Sequence, residues 1–137
     1  MSIAFGDIRT LPASQTAKTI MKQLENKKLF DEQRDVWRLG AAIGIAQNQV
    51  YENEKKETFQ NINTLDTDQV FAAIMLGLYP DMSPEERFKK LISHAEWGIR
   101  EINRKVKIGT LDFSTLGLSE PINVGESEDK KPEDNNN

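Results

Sequence analysis

The stretch Asp31-Glu32-Gln33-Arg34-Asp35-Val36-Trp37-Arg38-Leu39-Gly40-Ala41-Ala42-Ile43-Gly44-Ile45-Ala46-Gln47-Asn48-Gln49-Val50 decides the fold. Val36, Leu39, Ile43, Ala46 and Val50 recur at steps of three and four, the period of one helix face. A helix is therefore expected from an N-cap at Asp31 to about Val50. Gly40 and Gly44 lie inside it, and a glycine in a helix interior costs about 1 kcal/mol against alanine. Close approach of another backbone is the reading that explains both. Trp37 and Ala41 beside them extend an apolar strip outside the main stripe.

Upstream, Ile8–Leu11 reads as a short strand ended by Pro12, which holds Leu11 extended. Ser14 is placed to cap a first helix whose apolar positions are Ala17, Ile20, Met21 and Leu24. Downstream, Tyr51–Asn63 is polar and reads as a loop or short strand. Asp66-Thr67-Asp68-Gln69 resembles a capping box opening a third helix through Val70–Tyr79. That helix is apolar on nearly every side, so it is expected to be the most buried element. Ser83-Pro84-Glu85-Glu86 then gives the clearest start signal in the chain, opening a fourth helix with Phe88, Leu91, Ile92, Ala95, Ile99, Ile102 and Val106 on one face.

The fold class read from this pattern is mainly α: one four-helix domain over residues 1–120 with a short N-terminal β-strand. Its halves are 1–50 and the helical pair 64–107. Leu111, Phe113, Leu116 and Leu118 are expected to pack back on the bundle, and residues 121–137 to form a disordered acidic tail. The chain of 137 residues has 37% apolar and 29% charged residues and a mean hydropathy of -0.61, which suits one modest core. Its formal charge of -4 is uneven, about +1 over residues 1–107 and -5 over 108–137. The longest near-apolar run, Val70–Tyr79, is half a membrane span. With no signal-peptide pattern at the N-terminus, a cytoplasmic location without membrane contact is expected.

No cysteine is present, which excludes disulfides, thiolate metal sites and cysteine nucleophiles. His94 is the sole histidine; projected on its helix it falls off the apolar face and reads as solvent-facing. The carboxylate pairs Asp66/Asp68 and Glu85/Glu86 stand at helix starts, where capping accounts for them. Phosphate-cradling glycine motifs are missing. The expectation is no enzyme, no cofactor and no metal. Trp97, opposite the core face of its helix, and Trp37 mark two surplus apolar strips, as tryptophan is enriched at interface anchors.

The N-terminal half resembles ribbon-helix-helix proteins, whose paired strands enter the DNA major groove. Ile8-Arg9-Thr10-Leu11-Pro12 is similar to their strand–proline junction, although Asp31, Glu32 and Asp35 place acids where phosphate would sit. Arg9, Thr10, Lys18, Lys22, Lys27 and Lys28 are the candidate contacts to double-stranded DNA. Residues 29–44, with Leu29-Phe30, an acidic turn, Asp35-Val36-Trp37 and Gly40-Ala41-Ala42-Ile43-Gly44, resemble the small proteins associated with Dnd DNA-phosphorothioation systems. Asp66-Thr67-Asp68 and His94-Ala95-Glu96-Trp97-Gly98-Ile99 are similar to later parts of that family. The resemblance implies an accessory or regulatory subunit of a bacterial DNA-modification or phage-defence system, with the other proteins of that system as partners. A homodimer or higher even oligomer is expected as well, built on Trp37, Gly40, Ala41 and Gly44, with Trp97 further out. A DNA-binding regulator is the alternative.

Overall fold

Capping chemistry sets most of the helix starts. The computed structural model describes residues 4–107. The expectations for 108–137, packing of Leu111–Leu118 and a disordered tail, lie outside the described residues. The chain runs β1 (Thr10–Ser14), α1 (Gln15–Asn26), α2 (Gln33–Gln47), β2 (Lys56–Asn61), α3 (Ile62–Leu65), α4 (Val70–Leu78) and α5 (Pro84–Lys107). The Ser14 hydroxyl accepts from the Ala17 N–H at 3.0 Å and starts α1. At α5 the capping box is closed both ways: the Ser83 N–H donates to Glu86 Oε1 at 2.8 Å, and the Glu86 N–H to Ser83 Oγ at 3.1 Å.

Four boundaries differ from expectation. The domain has five helices among the described residues instead of four, because a four-residue helix, α3, forms before Asp66 where none was expected, and the expected third helix is α4. The α2 cap is Glu32, one residue past Asp31, and its N–H donates to the Asp35 carboxylate at 3.1 Å. The same helix stops at Gln47, because Asn48 turns left-handed at φ 53°, a conformation asparagine tolerates. Finally, β1 runs through Pro12 to Ser14, with a bulge between Leu11 and Pro12. A proline missing its N–H is tolerated at such an irregularity.

β1 pairs antiparallel with β2, from Thr10 opposite Asn61 to Ser14 opposite Lys56. The core lies between this ribbon, α1, α2 and α5, filled by Leu11, Met21, Leu24, Trp37, Ile43 and Ile99 among others. α5 is its centre. The expected face from Phe88 to Ile102 is buried, with Val106 packed at its edge.

α2 and α5 cross at a seam of small residues. A methyl group at Gly98 would overlap the Gly40 carbonyl, one at Gly44 would lie 2.8 Å from His94 Cα, and one at Gly40 would lie 2.9 Å from the Ile99 nitrogen. The pairings 40 with 98 and 44 with 94 make the helices antiparallel. The backbones therefore touch, and the three glycines are required by that contact.

Candidate functional site

The close approach expected for Gly40 and Gly44 is present, but the partner is α5 of the same chain. Trp37 and Ala41 are buried with them, Trp37 edge-on to Phe71 at 5.7 Å between ring centroids. Trp37, Gly40, Ala41 and Gly44 are thus not surface open to a second copy; the interface expectation is corrected at these four positions, because the seam uses them. Trp97 is half-buried against the core.

His94 is corrected too. It is fully buried, with Nδ1 2.8 Å from the Gln49 carbonyl and Nε2 3.1 Å from the Tyr79 hydroxyl. A carbonyl only accepts, so Nδ1 carries the proton and Nε2 accepts from the phenol. Burial pushes its pKa below the usual imidazole value, against the opposing pull of the Gln49 carbonyl. The helical-wheel argument failed because α5 is covered on several sides. His94 ties α5 to the end of α2 and to the residue closing α4.

Two residues on, and on the other side of α5, stands a buried carboxylate. Glu96 Oε2 accepts from the Ser14 N–H at 2.9 Å, and Oε1 accepts from the Ser14 hydroxyl and Arg100 Nη1, both at 2.7 Å. Arg100 Nη2 reaches Glu54 Oε1 at 2.8 Å, and its guanidinium lies 3.8 Å from the Tyr51 ring centroid. Every partner is satisfied, so this network joins the start of α1 to the middle of α5 as a structural clamp.

The expected DNA-contact residues divide. Arg9, Thr10, Lys22, Lys27 and Lys28 are exposed. Lys18 donates to the Thr58 carbonyl at 2.9 Å, tying α1 to β2. Lys18 and Lys22 face an open groove of about 1070 Å³ together with Phe59, Arg34, Glu25 and Glu32. Arg34 is paired there with Glu32. The ribbon that a ribbon-helix-helix dimer would form from two copies is made here within one chain, because β2 takes the place of the second copy's strand.

The expected most buried helix shows the reverse. Asp66 starts α4 with both carboxylate oxygens, accepting from the Phe71 and Ala72 N–H groups at 2.9 Å each. Only Ala72 and Met75 of α4 are fully buried. Val70, Ile74 and Leu78 are 55%, 37% and 53% exposed. With Ala73 and Gly77, also exposed, they occupy one face at i, i+3, i+4, i+7 and i+8. Leu29 and Val50 are exposed as well, but singly.

No family model matches the chain, and no curated protein and no solved structure matches it. Among the described residues no group of three histidine or acidic side chains is placed to hold a metal ion, and no helix is long and apolar enough to cross a membrane. The feature that departs most from an ordinary protein surface is the α4 stripe. Scattered apolar side chains need no explanation, whereas these lie contiguously along one helix face. Sequence reasoning missed it by assigning the continuous apolar run to the core. The two glycines on α2 carried a different signal: they marked the helix that another backbone approaches closely.

Proposed function

We propose that the chain is a protein-contact module, an accessory or regulatory subunit, that docks its partner on the outer face of α4. One observation carries this reading: Val70, Ala73, Ile74, Gly77 and Leu78 form an exposed apolar face on a helix whose opposite side is anchored through Phe71, Ala72 and Met75. Leaving such a face in water forgoes about 25 cal/mol per Å² of burial that a partner would supply. The likeness of residues 29–44 and 94–99 to Dnd-associated proteins supports a DNA-modification or defence system as the setting.

The test is co-expression of the tagged chain with the products of neighbouring genes. A stoichiometric complex is expected, and Ile74→Asp should abolish it without changing the monomer's helix content. A complex that survives both Ile74→Asp and Leu78→Asp would place the docking surface elsewhere.

A further inference from the structure

The α4 stripe is a ridge beside a shelf. Val70, Ile74 and Leu78 follow one another at i+4, and the small residues Ala73 and Gly77 run alongside them. A methyl added at Gly77 would meet nothing within 4 Å, so another backbone can lie close to the helix there. Of the large apolar side chains left exposed among the described residues, three form this ridge, while Leu29 and Val50 stand singly.

The end of α5 delivers the rest of the chain to this face. α2 and α5 pair antiparallel through 40 with 98 and 44 with 94, so Trp37 is level with about residue 101. Phe71 packs on Trp37 at 5.7 Å, and the Tyr79 hydroxyl reaches His94 at 3.1 Å. α4 therefore runs back along α5, and Val70 lies towards the end where α5 stops at Lys107, about 9 Å further along the axis. Residues 108–118 carry Ile108, Leu111, Phe113, Leu116 and Leu118 and a single charge, Asp112. Residues 119–137 carry six carboxylates and only Ile122 and Val124 as large apolar side chains. Fully extended, residues 108–118 span up to about 36 Å, enough to pass Val70 and cover a stripe of about 12 Å. The spacing of two in Leu111/Phe113 and in Leu116/Leu118 suits each pair to one side of an extended chain.

We propose that residues 108–118 lie as an extended strap along the α4 stripe, and that a docking partner must displace them. The seat follows from where α5 ends relative to α4, whereas the displacement rests on the proposed docking role of α4. Tethering explains how so small a face is occupied. Its five residues fall far short of the roughly 20–30 a side of a stable interface between separate molecules, so a second copy meeting it stripe to stripe gains too little. A segment attached at Lys107 is held at high effective concentration and needs no such area. Ordering the strap costs backbone entropy that offsets much of the burial, so a partner that also covers neighbouring surface outcompetes it.

The chain has no cysteine, so an introduced pair reports proximity without background. The full-length Ile74→Cys/Phe113→Cys variant is treated with oxidised glutathione at low micromolar concentration, and the intramolecular disulfide is followed by intact mass and non-reducing gel. The comparison pair is Leu29→Cys/Phe113→Cys. Leu29 is exposed and precedes α2, whose start is level with about residue 105, so it lies within the same reach of Lys107. The 74/113 pair should close about tenfold faster or more, as a seated segment raises the local concentration at one site only. Adding Leu111→Asp and Leu116→Asp should remove that advantage. Without the cysteines, the same two substitutions should raise anilinonaphthalene sulfonate fluorescence about threefold by uncovering the stripe, a rise that Ile74→Asp cancels.

Equal closure rates for the two pairs, an advantage that survives Leu111→Asp and Leu116→Asp, or unchanged dye fluorescence overturns the strap and leaves α4 open to a partner. Disulfide-linked dimers as the main product of the 74/113 variant overturn it in favour of a second copy. A selective intramolecular disulfide in a chain whose co-expressed complex survives Ile74→Asp upholds the strap and removes the docking role.

Discussion

The α2–α5 seam and α4 are both apolar, and they use their side chains in opposite ways. At the seam the glycines let two backbones touch, so Trp37, Ala41, Ile43 and Ile99 are buried completely. α4 is the more apolar helix along its length, yet Val70, Ile74 and Leu78 stay exposed. Hydrophobicity alone therefore does not rank burial. A helix is buried on several sides only if its neighbours can come close enough, and small residues at the crossing permit that. α5, flanked by α2, α1 and β1, becomes the core; α4, anchored along one edge, becomes a surface.

The comparison is broken most forcefully at Gly98. Gly98→Ala should cost about 3 kcal/mol or more, because the added methyl meets a backbone carbonyl that has no rotamer to yield. A urea midpoint within error of wild type would show that the helices move apart freely. The clamp comes next. Glu96→Ala should destabilise by about 2–3 kcal/mol by removing the buried acceptor of Ser14 and Arg100, read by the same unfolding curve.

His94 gives a pH-dependent version. Its folded pKa lies below the ordinary value of 6.5, so the unfolded chain binds the proton more readily. Its contribution is complete above that value and lost as pH falls below it. Between about pH 7.5 and 5.5 stability should therefore decrease as the pH falls. As this is the sole histidine, His94→Gln should flatten that window. An unchanged slope in the variant would assign the dependence to other groups.

The smallest effects belong to α4. At Gly77 an added methyl meets nothing within 4 Å, so Gly77→Ala should stabilise by about 0.5 kcal/mol through helix propensity. The same chemical change thus has opposite signs at Gly77 and Gly98. Ile74→Asp should leave the unfolding midpoint within about 0.5 kcal/mol of wild type, and a larger loss would mean that this face is packed.

Local signals were legible residue by residue. The caps at Ser14 and Ser83, the apolar face from Phe88 to Ile102 and the close approach at Gly40 and Gly44 could all be read from spacing. Each depends on groups within a few positions of one another, or on a glycine whose cost in a helix demands a reason. Three other readings failed: His94 was assigned to solvent, Trp37 to a second copy and Val70–Tyr79 to the interior. Each concerned which element would arrive from elsewhere in the chain.

The sequence by itself determined where α1 and α5 begin, which face of α5 is apolar and that α2 meets another backbone, since hydrogen-bond capping and side-chain periodicity act within one element. Only the tertiary structure decided that the backbone is α5 of the same chain, that β2 closes the ribbon with β1, and that α4 faces outward. Burial is shared among elements: once α2, α1 and β1 cover α5, the most hydrophobic helix is left with one side on the core and the other in water.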